Sequence, residues 1–342
     1  MSPPFRVGVM QLTMEPVEEM VATARALDRA GFDTIWLAEA YPWWRKHQME
    51  ARSSTVVSAL MARETERLTI GWGIISPFTR HPVQVAMDAR VVQELAGPDR
   101  FILGFGTSKI FLNNARMQTK RTLGPMRDAV EIVRGVLSGR EFAYDGDMWS
   151  ADVPALSEEA DAPRDVPPVY VAATAPKMQA LAGEIADGCL TPSITTPAFV
   201  RHTRDNVKAD IDIGCTVVAS IDRDRDRGRD GAREIAAMYL ANKVQNIRGS
   251  ADTLLDLAGL EQDEIRPVAD AMERGGRLAA KAEVTDAILD KCKPIAGTPA
   301  DCIAAIQEYR EAGCTHVMLE LWGDNRHEQI ELFGSEVLPH VR

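Results

Sequence analysis

The chain alternates between two kinds of hydrophobic pattern. Short, nearly unbroken apolar runs recur at Val7–Gln11, Thr34–Leu37, Leu68–Ile75, Phe101–Phe105, Val169–Ala173, Gly188–Thr191, Gly214–Ser220 and His316–Leu319. Between them lie stretches whose apolar positions repeat at three and four. In Val17–Ala30 these are Val17, Met20, Val21, Ala24 and Leu27, and Gly31 stops the helix. Ser53–Arg63, Val83–Leu95, Met126–Leu137, Lys177–Ala186, Thr298–Ala312 and a last segment near Glu328 read the same way. Continuous apolar strands separated by helices mean a parallel sheet covered on its outer face. Eight such strands is the number that closes a (β/α)8 barrel, so the expected fold class is α/β, a TIM barrel. An open doubly wound sheet is the competing arrangement.

Two stretches break the rhythm. Phe142–Ala151 reads as a hairpin around Asp145–Gly146, and Asp152–Pro168 is Pro-rich and acidic, a surface loop. After the seventh strand, residues from about 226 to 293 are mostly helical, an insertion ahead of the last helix–strand pair. The expectation is one domain over residues 1–342 that carries this insertion. The sign-alternating run Asp222–Arg227 is read as a solvated loop or helix start.

Composition narrows the partners. Lys and Arg total 39 against 50 Asp and Glu, a net charge of -11 that repels phosphate backbones and anionic lipid. Neither nucleic acid nor a membrane is expected, and no apolar run reaches the roughly 18 residues of a span. Met1–Met10 lacks a signal-peptide pattern. Cys189, Cys215, Cys292, Cys302 and Cys314 are scattered and odd in number, which suits reduced thiols in the cytoplasm and neither a disulfide framework nor zinc. Gly104–Lys109 starts like a dinucleotide fingerprint but lacks its third glycine. No phosphate loop, zinc-helix or nucleophile-elbow motif is present, and no metal site is expected.

In a barrel the chemistry sits at the C-terminal ends of the strands. That rule selects Glu39, Tyr41, Trp43, Trp44 and His47 after the second strand, and Ile74, Ser76, Pro77, Arg80 and His81 after the third. It selects Gly106, Thr107, Ser108 and Lys109 after the fourth, and Thr174, Ala175, Pro176 and Lys177 after the fifth. Two readings of the last group stand side by side. A helix start offers free N–H groups and a partial positive charge to a phosphate, or Thr174 caps the helix with Pro176 in its first turn. Trp43 and Trp44 either pack across the mouth or floor a planar ligand. Arg80 is read as half of a structural ion pair and His81 as a satisfied hydrogen-bonding residue.

The same positions carry a resemblance. Ile70–Pro82 resembles the strand-three motif of the luciferase-like monooxygenase superfamily, and Phe101–Gly106 its strand-four motif. Val171–Met178, continuing through Ala182–Gly188, is similar to the strand-five and helix signature, and Gly297–Pro299 with Glu308–Gly313 to the approach to strand eight. The ordered set runs through nearly the whole chain. Its Arg80-His81-Pro82 turn and Pro176-Lys177-Met178 helix start most resemble the branch that uses coenzyme F420, the methylenetetrahydromethanopterin reductases and their relatives.

That resemblance implies hydride transfer between the deazaflavin C5 and a small organic substrate. It implies a non-prolyl cis peptide at Gly73–Ile74 behind the ring, with Ser76 among the cofactor residues. Gly106, Thr107 and Ser108 would run along the ring and ribityl chain, and Ala173, Thr174, Ala175, Pro176 and Lys177 would hold the phosphate. A homodimer is implied as well. Where many relatives end strand two with Asp, often followed by His, this chain has Glu39–Ala40. Glu39 is the first candidate proton donor and His47 the second, with Trp43 and Trp44 over the substrate. The alternatives are an FMN-dependent monooxygenase and a barrel that binds a flavin without turnover.

Overall fold

A computed structural model describes residues 5–39, 50–108, 112–113, 115–117, 119, 121–156, 165–245, 250–323 and 325–342. Strand β1 (Arg6–Leu12) leads through α1 (Val17–Ala30) to β2 (Thr34–Ala38), and α2 (Ser54–Glu64) to β3 (Thr69–Trp72). Helix α3 (Pro82–Ala96) precedes β4 (Phe101–Phe105), and α4 (Leu123–Ser138) precedes the hairpin of β5 (Phe142–Asp145) and β6 (Ser150–Val153). Then come β7 (Val169–Ala172), α5 (Pro176–Ile185), β8 (Gly188–Thr191), α6 (Pro197–Val207) and β9 (Asp212–Ile221). The insertion holds α7 (Arg225–Gln245), α8 (Ser250–Ala258), α9 (Gln262–Ala282) and α10 (Asp286–Lys291). The chain closes with β10 (Ile295–Gly297), α11 (Pro299–Glu311), β11 (His316–Glu320), α12 (Arg326–Glu336) and α13 (Leu338–Val341).

Strands β1, β2, β3, β4, β7, β8, β9 and β11 pair in that order, all parallel, and β11 returns to β1. This is the closed eight-stranded barrel expected from the apolar runs, with the helical insertion after the seventh strand. Two details differ. The third strand stops at Trp72, because the Gly73–Ile74 peptide is cis and turns the chain out of the ladder before Ile75 rejoins Phe105. The short β10 falls between the helical block and the helix at Thr298, where the sequence predicts no strand. It pairs with Ala219–Ile221, the part of β9 that overshoots the barrel, and three residues are too few to show a period.

The inside of an eight-strand ring is too narrow for a large side chain from every strand. Here bulk on one strand meets glycine directly opposite it on the next. Trp36 stands beside Gly71, Tyr170 beside Gly188 and Leu190 beside Gly214. A Cβ on Gly71 would lie 2.5 Å from the Trp36 indole, and one on Gly188 would lie 2.4 Å from the Tyr170 ring. Met10, Trp36, Ile102, Tyr170, Leu190 and Met318 fill the interior as one cluster. Lower down, His316 meets Thr34 Oγ1 at 2.8 Å, and burial holds its imidazole pKa well below the usual value, so it sits there uncharged. A second cluster seats the insertion on the barrel through Leu12, Met14, Ile194, Val218 and Trp322.

Because the Trp36 indole occupies the slot that Gly71 leaves, Gly71→Ala should destabilise the protein by about 2 kcal/mol. The clash is with one ring, so Trp36→Phe combined with Gly71→Ala should recover part of that loss. Chemical denaturation of the three variants measures both effects. A Gly71→Ala protein as stable as wild type would refute this packing.

Candidate functional site

The interior cluster carries a floor for the barrel mouth. Ala38 at the end of β2, Ile74 after β3 and Ala172 at the end of β7 lie on it, each half-buried. The backbone on both sides of the cis peptide is pinned. Gly73 N–H donates to Leu37 O at 2.9 Å, Ile75 N–H to Gly104 O at 2.8 Å, and Gly106 N–H to Ile75 O at 3.1 Å. Ile74 therefore projects toward Gly106, where an added Cβ would come within 2.7 Å of Ile74 Cγ1 and 3.1 Å of Ala172 Cβ. An apolar surface results, with Ile74 seated in the space that a side chain at Gly106 would take.

Beyond the floor, the ends of β4 and β7 rise as one wall. Thr107 and Ser108 are half-buried, and Ser108 adopts the left-handed backbone conformation with φ of 42°. Ala173 is buried and Thr174 half-buried, while Ala175, Pro176 and Lys177 are exposed. The N-cap of this helix start is Ala175, with Pro176 in the first turn, and no side chain accepts a hydrogen bond there. Thr174 lies one residue too early to cap. Pro176 has no N–H and Met178 N–H bonds Ala175 O at 3.0 Å, so Lys177 N–H is the first-turn donor left without an intrahelical acceptor.

Next to this wall, Arg80 donates two hydrogen bonds to the Glu39 carboxylate, at 2.8 and 2.6 Å. The fork geometry commits Glu39 as an ionised acceptor, with both oxygens used. His81 caps α3 by accepting from Val83 N–H at 3.2 Å, and its ring meets Trp149 edge-on at 4.8 Å. Both residues therefore have the structural parts that sequence assigned them. Ser76 is buried in a turn, its hydroxyl accepting from Phe78 N–H at 3.4 Å. Trp43, Trp44, His47 and Lys109 lie outside the described residues.

A polar cluster on the far side of the mouth escaped sequence reasoning. Glu320 ends β11, which stands across the ring from β4. Its side chain accepts from Ser193 Oγ at 3.0 Å and is hydrogen-bonded by Tyr239 of α7. The strand-end rule reaches Glu320 if it is applied to the eighth strand as well as to strands two to five. Nothing in the order of residues brings Ser193 or Tyr239 to it. Among the described residues, no group of His, Cys, Asp and Glu could hold a metal ion.

The fold and the mouth define a (β/α)8 barrel with an apolar platform and an uncapped helix start beside it. Comparison with known proteins gives the family. The luciferase-like monooxygenase family matches residues 1–316, and the chain belongs to it. The 5,10-methylenetetrahydromethanopterin reductase of Archaeoglobus fulgidus is 27% identical over 340 residues, covering 95% of this chain and 96% of that protein. An F420-dependent glucose-6-phosphate dehydrogenase of Nakamurella multipartita is 24% identical, covering 99% of this chain and 97% of its own. The solved structure of the coenzyme F420-dependent tetrahydromethanopterin reductase of Methanopyrus kandleri superposes with a TM-score of 0.84 at 23% identity, over 99% of this chain and all of that one.

The Glu39–Arg80 pair is only partly shielded, with side chains 12% and 25% exposed. Removing one partner leaves the other without its counter-charge, so Glu39→Gln or Arg80→Gln alone should each cost about 1–3 kcal/mol. The double replacement should cost less than the sum of the singles, which a double-mutant cycle in urea measures. Additive costs would show that the pair contributes nothing as a pair.

Proposed function

We propose that this protein is a coenzyme F420-dependent oxidoreductase that moves a hydride between the deazaflavin and a small organic molecule. One observation carries the reading: the Ala38–Ile74–Ala172 platform, in which Gly106 lets Ile74 pack close, sits one strand from the uncapped start of α5. A planar ring fits the first feature and a phosphate-bearing tail the second. Relatives named for F420 chemistry support the choice of cofactor. When bound, the deazaflavin supplies or accepts hydride at C5.

In this reading Gly73, Ile74 and Gly106 back the ring, and Thr107 and Ser108 follow the chain that leads from it. Ala173, Thr174, Ala175, Pro176 and Lys177 surround the phosphate. The Lys177 backbone N–H and ammonium hold it by charge-assisted bonds, and the helix dipole adds up to about 2 kcal/mol where the site is partly buried. Ser76 shapes the turn under the ring. Glu39, the first candidate donor from sequence, is fixed by Arg80 and orients rather than donates; His47 remains the second candidate donor, and Trp43 and Trp44 remain assigned to the substrate side. The protein holds one ring face against the platform and leaves the other for substrate.

Titrating the purified protein with F420 and with FMN tests this. F420 should bind, and FMN should bind more weakly, without oxygen consumption. Tight FMN binding with oxygen uptake would instead make the protein a monooxygenase, and tight flavin binding without turnover a carrier. Ala175→Asp sets a negative charge at the helix start and should weaken F420 by at least tenfold. Lys177→Ala, which leaves the backbone donors in place, should weaken it only a few-fold. Wild-type affinity in Ala175→Asp would move the phosphate elsewhere.

The protein is further proposed to act as a homodimer in the cytoplasm. Met87, Val91 and Leu95 recur every four residues on one exposed face of α3, and Val56 and Leu60 are exposed on the neighbouring α2. An apolar surface of this kind calls for a partner, and a second copy meets it by two-fold symmetry. All five cysteines are buried and unpaired, which suits a reducing compartment. Light scattering should give the mass of a dimer, and Val91→Asp that of a monomer. A monomeric wild type would refute the assignment.

A further inference from the structure

We propose that Glu320, held by Ser193 and Tyr239, is the catalytic acid and base of this site, exchanging a proton with the oxygen of a carbonyl–alcohol substrate pair. The inference rests on the hydride-transfer reading above and gives that reading its substrate class. Three geometric observations lead to it. Alternate residues of β11 face the barrel interior: His316 meets Thr34 inside the ring and Met318 lies in the interior cluster. Glu320 is the next residue in that series, one layer higher, at the mouth. Its strand faces β4 across the ring, so it stands over the side of the mouth away from Gly106 and the α5 start.

The third observation is an unfilled hydrogen-bonding position. Glu320 is 1% exposed, and Oε1 accepts from Ser193 at 3.0 Å. Oε2 is buried with no partner among the described residues. Buried polar atoms are nearly always satisfied, so an orphaned carboxyl oxygen at a barrel mouth is one reserved for a ligand. Among the described residues, the groups that act on Glu320 are Ser193 from the loop after β8 and Tyr239 from α7. From the turn after β1 and the start of α12, Glu15 and Arg326 face each other in an ion pair, Arg326 Nη1 reaching Glu15 Oε2 at 2.7 Å. Lys243, one turn beyond Tyr239, is itself desolvated and its pKa lowered to about 8, and it does not act on Glu320.

With no cation beside it, burial raises the Glu320 pKa to about 7, while the Tyr239 and Ser193 hydrogen bonds pull the other way. A general acid–base works best with a pKa near the operating pH. A neutral acid among neutral hydroxyls also selects the substrate. A carbonyl and its alcohol are both uncharged, whereas an iminium ion would draw the carboxyl into its charged form.

The step balances. In the reducing direction hydride forms the new C–H bond at the carbonyl carbon and the C=O π pair moves to oxygen. That oxygen takes the proton from Glu320 Oε2, leaving a carboxylate. In the oxidising direction the carboxylate removes the hydroxyl proton, the C=O bond forms, and hydride leaves the carbon for the deazaflavin.

Infrared difference spectroscopy of the cofactor-free protein, wild type minus Glu320→Gln, reads the carboxyl directly. The carbonyl stretch of a protonated acid should be present at pH 5 and lost with a midpoint near 7. Tyr239→Phe removes a hydrogen bond that favours the charged form, so it should move that midpoint upward. Glu320→Gln should bind F420 with wild-type affinity, which also shows that it folds. In single turnovers of reduced F420 with a panel of small aldehydes and ketones, it should be slowed at least ~100-fold and lose the alkaline fall in rate that wild type shows.

Three results would overturn the proposal: no titrating carboxyl band, a Glu320→Gln protein with the wild-type rate and pH profile, or F420 bound by wild type with no carbonyl reduced. A wild type that fails to bind F420 at all would instead sink the cofactor reading, and the carboxyl band would still decide the state of Glu320.

Discussion

Eight strands closed into a ring leave room inside for only a few large side chains, and this constraint shapes everything above it. Trp36, Tyr170 and Leu190 use that room because Gly71, Gly188 and Gly214 directly opposite give it up. The interior is thereby packed as a solid plug, and a plug has a top surface. Ala38, Ile74 and Ala172 lie on that surface, so the flatness of the mouth follows from the packing beneath it. Losing the plug would cost stability and would also remove the platform. The cis peptide belongs to the same arrangement, since Leu37 on one side and Gly104 on the other hold the backbone that flanks it.

Charges around the mouth are divided rather than mixed. On the platform side, Glu39 and Arg80 neutralise each other through two bonds, and the uncapped start of α5 is left as the local positive pole. Across the ring stands a carboxyl with hydroxyl partners and, among the described residues, no cation. On the proposed reading, these fields would draw a phosphate tail to one side and leave the other to an uncharged polar group.

Much of this was legible in the chain. The barrel was, because a strand buried on both faces must be apolar throughout, and eight such runs is the number that closes the ring, with an open doubly wound sheet as the competitor. The hairpin, the insertion and the pairing of Arg80 were visible from turn residues, helical period and the Arg–His–Pro start of α3. The helix start after β7 was half legible. Proline favours the first helical position, which makes Ala175, the residue before Pro176, the cap, and that argument would have displaced Thr174 from sequence alone. Strand β10 was hidden by its length, since three residues show neither of the two periods. The Ser193–Tyr239–Glu320 cluster was hidden for a different reason. It joins a loop, an inserted helix and a strand end, and only the closure of the ring and the seating of α7 bring them together.

That last cluster also shows what the insertion is for. The barrel strands alone supply a platform, a helix start and one carboxyl at the end of β11. Helix α7 adds Tyr239, and the apolar contacts of the insertion with Leu12, Met14, Ile194 and Trp322 keep water from that side of the mouth. Burial is what separates the two carboxyls of the site. Glu39 has both oxygens taken up by a guanidinium, whereas Glu320, desolvated and with no counter-ion among the described residues, is left able to carry a proton near neutral pH. The same side chain thus has two electrostatic fates in one barrel, and the insertion, by covering the second, makes the difference.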